Sequence, residues 1–109
     1  MTGAALSEQD FRLEADRALE QAQHALLPLA DEEGFEVELQ NGVLQLIFEE
    51  PSPAKFVVSP NAPVRQVWVS ALSRSFKLSW AGDASTFTLD GERLSALLDR
   101  LAREHLHRT

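Results

Sequence analysis

The sequence predicts an α+β fold, a two-layer α/β sandwich in which N- and C-terminal helices pack on one face of a six-stranded, mainly antiparallel sheet. Apolar residues recur every three or four positions near both ends of the chain, as in amphipathic helices, and alternate with polar residues in between. Short turn signals separate the alternating segments, so neighbouring strands are expected to pair antiparallel. Neither helix can bury its apolar stripe alone, and both therefore need the same sheet face.

The first helix is predicted to begin after Ser7, whose side chain can accept a hydrogen bond from the first free backbone amides. Its apolar stripe runs from Phe11 to Leu29. Pro28 has no amide hydrogen to donate, so the helix is expected to end or kink within a turn of it. Residues 30–34 are then expected to form a loop.

Six strands are predicted between the helices, each from alternation bounded by turn residues. They cover residues 35–39, 43–48, 55–59, 64–72, 76–80 and 86–89. Asn41-Gly42 is a strong hairpin signal, whereas residues 60–63 and 73–75 are expected to form turns. Asp90 is expected to cap the closing helix, residues 92–105, whose leucines form the second apolar stripe.

The composition is that of one globular domain, residues 1–109. Hydrophobic residues make up 44% and charged residues 25%, which is usual for folded domains and argues against disorder. The absence of cysteine excludes disulfides, thiolate metal sites and cysteine nucleophiles. No apolar run is long enough to cross a membrane and the first residues lack a signal-peptide pattern, so a cytoplasmic protein without membrane contact is expected.

The net charge of −7 is concentrated in the first third of the chain. Residues 1–38 hold ten acidic and two basic side chains, whereas the remaining residues sum to +1. Such a distribution argues against nucleic acid as a partner and favours a cation or a basic protein surface.

Enzyme signatures are absent from the sequence. It contains no G-x-S-x-G motif, glycine-rich phosphate loop or H-E-x-x-H helix, so neither catalytic residues nor an organic cofactor are expected. His105 and His107 are two residues apart and cannot share a helical face as metal ligands, so they are expected to be solvated residues at the end of a helix.

Eight carboxylates from the first helix, the following loop and the first strand are candidate metal ligands, because oxygen ligands suit Ca²⁺, Mg²⁺, Mn²⁺ and iron. Their spacing does not match an EF-hand loop, so any site would be open and weak. If these elements are spatial neighbours, the acids form one negative ridge; the alternative is an ordinary solvated face. This acidic set comprises Glu14, Asp16, Glu20, Asp31, Glu32, Glu33, Glu36 and Glu38.

Trp68 is the candidate contact residue for a partner protein. The alternation places it with Gln66 and Ser70 on the sheet face opposite Val67 and Val69. A tryptophan rimmed by polar residues is a common interface anchor. The alternative is that the indole only packs beside neighbouring strand residues.

The segment PVRQVWVSALSRSFKLSW, residues 63–80, followed by AGDASTFTLDGERLSALL, resembles the frataxin family, whose bacterial members are called CyaY. The Q-V-W core at residues 66–68 is the specific part, and the similarity extends less closely to the first hairpin and the acidic first helix. The resemblance implies the same sandwich and an acidic ridge that binds iron weakly. It also implies that Trp68, with Gln66 and Arg65 nearby, meets a cysteine desulfurase and its iron–sulfur scaffold protein.

The resemblance therefore implies a bacterial cytoplasmic protein that modulates iron–sulfur cluster assembly and is not an enzyme. Two departures from the family pattern are Gln21, Gln23 and His24, where the family often has acids, and Ser85, where many members have a tryptophan. One alternative is an iron storage or ferroxidase protein, which would need a closed ligand set. Another is an acidic protein-interaction module unrelated to iron. A monomer is expected, with an iron-dependent oligomer as the alternative state.

Overall fold

The computed structural model describes residues 6–107 of the chain. Its elements are helix α1 (Glu8–Glu33), strands β1 (Glu36–Gln40), β2 (Val43–Phe48) and β3 (Ala54–Asn61), a short 3₁₀ helix (Ala62–Val64), strands β4 (Gln66–Ala71), β5 (Arg74–Ala81), β6 (Thr86–Leu89) and β7 (Glu92–Arg93), and helix α2 (Leu94–Leu106). Within these residues, no helix is both long enough and apolar enough to cross a membrane.

The strands form one antiparallel sheet in which the spatial order, β1 to β7, is the order along the chain. Both helices cover one face of it, and the core lies between. Val67 pairs with Leu78 and Val69 with Phe76, and these side chains point toward the helices. The opposite face is hereafter called the outer sheet face. The predicted α+β sandwich is confirmed, with seven strands instead of six because Glu92 and Arg93 pair with β6 before α2 begins.

Helix α1 continues past Pro28 to Glu33, so the loop predicted for residues 30–34 is wrong over its first four residues. Pro28 is exposed, and Leu29 and Ala30 beyond it are buried in the core. Gly34 ends the helix with φ +83°, and its amide donates to the Ala30 carbonyl at 2.7 Å. The burial of Leu29 and Ala30 and the Gly34 cap together offset the free-energy cost of the backbone hydrogen bond that Pro28 cannot make.

Two tight turns differ from the prediction, one in its position and the other in its role. Leu72 and Ser73, with φ +55° and +62°, join β4 to β5, so the turn lies before residues 74 and 75. Asp90 and Gly91, with φ +52° and +83°, join β6 to β7. Asp90 therefore belongs to a hairpin and does not cap α2. Two central residues with positive φ match the twist of paired strands, which is why type I′ turns favour hairpins.

The region before β4 also differs from the prediction. Strand β3 extends to Asn61, so Pro60 and Asn61 belong to the strand, and the 3₁₀ helix Ala62–Val64 replaces the second half of the expected turn. Strand β4 consequently begins at Gln66.

We expect Ser73→Gly to raise the free energy of unfolding by about 0.5 kcal/mol, because relief of a positive φ, about 1–2 kcal/mol, exceeds the chain entropy that glycine loses on folding, about 0.5–1 kcal/mol. Urea denaturation measures the change. Ser70→Gly, in the extended interior of β4, is the matched control and should instead destabilise the fold by about 0.5–1 kcal/mol. Equal effects of the two substitutions would contradict the turn assignment.

His105 is buried, with 2% of its surface exposed, so the prediction of a solvated residue is wrong for it. Its ring lies 4.8 Å from the Phe48 ring, between centroids, and its Nε2 atom lies 3.0 Å from the carbonyl oxygen of Ser52. The contact ties the end of α2 to the loop between β2 and β3. The spacing of His105 from Leu98 and Leu101, which continues the apolar stripe, is the signal that indicates this burial.

Candidate functional site

Trp68 lies on the outer sheet face, where the alternation placed it. Its chain neighbours Val67 and Val69 are buried on the core side. The strand register sets Trp68 between Ser59 of β3 and Lys77 of β5, so these three side chains form one row across the middle of the sheet. The indole is half-buried: its strand neighbours cover part of it, and α1 and α2 lie on the opposite face.

The indole of Trp68 is held by contacts on the sheet. Its Nε1 donates to Oε1 of Gln66 at 2.9 Å, and Nε2 of Gln66 donates to Oγ of Ser79 at 3.4 Å. The ammonium of Lys77 lies 4.9 Å from the centroid of the Trp68 ring system, within cation–π range. We call Gln66, Trp68 and Lys77 the Trp68 patch. Sequence reasoning missed Lys77, although its alternation with Phe76 and Leu78 already placed it on this face.

An open depression of about 390 Å³ adjoins the Trp68 patch on the outer sheet face. Its lining includes Val57, Ser70, Ser75 and the two larger side chains Trp68 and Lys77. The depression is therefore a place where a protruding group of another molecule can meet both apolar and charged atoms.

Arg65 does not join the Trp68 patch. It precedes β4 with φ +54°, which takes it out of the alternation of the strand. Its Nε donates to the Leu6 carbonyl at 3.2 Å and its Nη1 donates to the Ala62 carbonyl. These bonds tie the segment before α1 to the 3₁₀ helix, so the contacts of Arg65 in this structure are internal to the fold.

The acidic set does not form the single ridge expected from the sequence. Successive helical residues are rotated by about 100°, so Glu14 and Asp16 project about 200° apart around α1. On β1, Val37 pairs with the buried Leu46 and faces the helices, which directs Glu36 and Glu38 to the outer sheet face. The eight carboxylates are therefore divided among the flanks of α1, its C-terminal end and the outer face of β1.

Asp16 and Glu20 form the clearest carboxylate pair in the set. They are exposed, one helical turn apart, and line a depression of about 220 Å³ together with Leu39 and Gly42 of the β1–β2 hairpin. Glu14, on the other flank of α1, is instead paired with Arg17 at 3.5 Å. Asp16 and Glu20 are thus the members of the set that can share one cation with least rearrangement.

Asp31, Glu32 and Glu33 lie at the C-terminal end of α1, where the helix dipole disfavours negative charge. Arg103 of α2 offsets part of this cost. The hydrogen bond that Arg103 donates to Asp99 at 2.6 Å is the main cause of its raised pKa, and the charges of Glu32 and Glu33 raise that pKa further. Glu32 and Glu33 therefore interact with α2.

No three histidine, aspartate or glutamate side chains within residues 6–107 are close enough together to hold a metal ion. The acidic set offers its oxygen ligands at most as neighbouring pairs, such as Asp16 with Glu20. Two carboxylates completed by water form an open site of low affinity.

The family model described as a frataxin-like domain matches residues 4–108. The iron-sulfur cluster assembly protein CyaY of Janthinobacterium sp. (strain Marseille) is 31% identical over 98 residues, 88% of this chain and 87% of the relative. The protein of the same name from Pseudomonas aeruginosa is 36% identical over 78 residues, 68% and 70% of the two chains.

Among solved structures, a frataxin from Psychromonas ingrahamii superposes with a TM-score of 0.67 over 95% of each chain, at 16% sequence identity. At this low sequence identity, the structural similarity supports the fold alone, including the two helices on one face of the sheet.

Proposed function

This chain belongs to the frataxin-like family, and on that basis we propose that it modulates iron–sulfur cluster assembly by binding a cysteine desulfurase and its scaffold protein through the Trp68 patch. The relatives named above are iron-sulfur cluster assembly proteins. The proposed setting is the bacterial cytoplasm, and the proposed role is that of a regulator without chemistry of its own.

The single observation that carries this proposal is the fixed, half-exposed indole of Trp68 on the sheet face opposite both helices. Interface hot spots are enriched in tryptophan. Because Gln66 and Lys77 already hold the ring, little conformational entropy is lost when a partner covers it.

The acidic set supports the proposal through long-range attraction. A surplus of acidic side chains in the first third of the chain attracts a basic partner surface and raises the association rate. Such attraction between exposed charges is screened within about 10 Å at 0.1 M salt. Binding should therefore weaken as salt is added.

Binding of the purified chain to a purified desulfurase–scaffold complex tests the proposal directly. We expect complex formation at low ionic strength, a lower affinity at 0.3 M salt, and a changed rate of cluster assembly when the chain is added. A chain that neither binds at low salt nor changes the assembly rate would contradict the proposal.

Iron is proposed as weakly held cargo of the acidic set, with Asp16 and Glu20 as its first ligands. Carboxylate oxygens suit Fe²⁺, and these two side chains face the same depression. The open geometry leaves most coordination positions to water, which fits an ion that must be passed on.

Titration with Fe²⁺ under anaerobic conditions, followed by amide NMR, is expected to broaden signals around residues 16 and 20 first, because the ion is paramagnetic. The double variant Asp16→Asn and Glu20→Gln should lose this broadening, whereas Asp83→Asn, in an exposed turn, should keep it. Absence of localised broadening would favour an acidic interaction module unrelated to iron.

Oxygen consumption on adding Fe²⁺ in air distinguishes the proposed function from the remaining alternative, an iron storage or ferroxidase protein. We expect no more than the buffer rate, because rapid oxidation requires a defined ligand set. Rapid stoichiometric consumption would instead favour an iron storage or ferroxidase protein.

A further inference from the structure

We infer that the depression beside Trp68 receives one apolar side chain of the partner and that a carboxylate next to it on the partner pairs with Lys77. This inference rests on the proposed function, because it specifies what the partner presents to the Trp68 patch. It concerns the part of the outer sheet face between Trp68 and the β4–β5 turn.

The shape of the depression follows from the strand register. Val57, Ser70 and Ser75 stand opposite one another in a row across β3, β4 and β5. The adjacent row on the same face holds Trp68 and Lys77, whose side chains are much longer. The change in side-chain length between the two rows produces a step, and the indole and the lysine stem form its wall.

The lining favours an apolar occupant. Val57 and the indole of Trp68 supply apolar surface, and covering it releases water at roughly 25 cal/mol per Å². The hydroxyls of Ser70 and Ser75 are exposed and can keep hydrogen bonds to water at the edge. A volume of about 390 Å³ leaves ample room for one large aliphatic or aromatic side chain.

The positive charge of Lys77 indicates which partner group lies next to the apolar side chain in the depression. Lys77 is the charged residue in the lining of the depression, and among residues 6–107 no carboxylate lies within 4.0 Å of its ammonium. Five basic residues elsewhere are paired with carboxylates: Arg12, Arg17, Arg74, Arg100 and Arg103. On a chain of net charge −7, a partner carboxylate is repelled by most of the surface and attracted at Lys77. This difference between repulsion elsewhere and attraction at Lys77 determines the position and orientation in which the partner docks.

A substitution that fills the depression tests whether a side chain of the partner enters it. Ser70 is exposed on the outer sheet face, so Ser70→Phe should fold normally while its ring occupies the space. We expect at least a tenfold loss of affinity for the purified desulfurase–scaffold complex. Gln40→Phe adds the same ring to the same face on β1, outside the depression, and should change the affinity less than twofold.

Reversing the charge of Lys77 tests whether a carboxylate of the partner pairs with it. Lys77→Glu should lower the affinity more than tenfold and Lys77→Gln by less. Lys55→Glu makes the same charge change at an exposed lysine on the outer face of β3 that does not line the depression, and should have a clearly smaller effect. Equal losses for Lys77→Glu and Lys55→Glu would mean that only overall charge matters, and would overturn the pairing.

The outcomes for this inference and for the proposed function are separable. If Trp68→Ala weakens binding and Ser70→Phe does not, the occupied depression is wrong and the proposed function stands. If neither substitution changes the affinity, both the occupied depression and the proposed function are wrong. If the unmodified chain self-associates in sedimentation experiments and Ser70→Phe abolishes that association, the occupant is a second copy of the chain and the inference is overturned.

Discussion

Replacing Trp68 with alanine is expected to weaken binding to the desulfurase–scaffold complex about 30-fold, which corresponds to about 2 kcal/mol, the threshold for an interface hot spot. The substitution removes the largest side chain of the Trp68 patch and leaves Gln66 and Lys77 without the ring that they hold. Because α1 and α2 pack on the opposite face, the core is untouched and the melting temperature should change little. Calorimetric titration measures the affinity and circular dichroism the melting.

Trp80 provides the matched control, since it is the second tryptophan of the chain and lies on the other side of the sheet. Its ring packs against Phe87, with 5.4 Å between centroids, and borders the core. Trp80→Ala should therefore lower the melting temperature and leave the affinity of the folded protein nearly unchanged. An affinity that is unchanged by Trp68→Ala would show that the partner does not use this sheet face.

Phe48→Ala is expected to lower the free energy of unfolding by about 3–5 kcal/mol, the usual cost of removing a buried phenylalanine ring. Phe48 is 1% exposed, and its ring centroid lies 4.5 Å from that of Phe35 and 4.9 Å from that of Phe56. It also carries the contact to His105, so the cavity would loosen the end of α2. Domains are typically stable by only 5–15 kcal/mol, so much of the total would be lost.

Urea denaturation measures this loss, and Leu13→Ala is its control. Leu13 is 59% exposed on α1, so its truncation should change the free energy of unfolding by less than about 0.5 kcal/mol. A loss below 1 kcal/mol for Phe48→Ala would mean that the aromatic cluster around it is not packed as described.

Short-range patterns were enough to predict much of the sheet and the location of Trp68. Strands β2 and β6 have the predicted bounds, because alternation and turn residues lie within a few positions of each other. The same alternation put Trp68 and the buried Val67 on opposite faces. The resemblance of residues 63–98 to the frataxin family is consistent with the family match over residues 4–108.

The features that were missed depend on contacts between distant parts of the chain. Pro28 stays within α1 because the residues beyond it pack into the core. His105 is buried against Phe48 and the Ser52 carbonyl, both more than fifty positions away. The division of the acidic set is different, since the rotation between Glu14 and Asp16 follows from helix geometry and could have been applied to the sequence directly.

The strictly sequential order of the strands has a consequence for how the protein folds. Each hairpin can form from adjacent residues, so the sheet can grow outward from any turn without inserting a strand between two that are already paired. The packing of α1 on α2 and on β6 is different, since it joins distant parts of the chain. Contacts so distant in sequence carry the largest loop-closure entropy, which decreases once intervening segments are ordered. We therefore expect the two helices to meet late, after the sheet has brought them near each other.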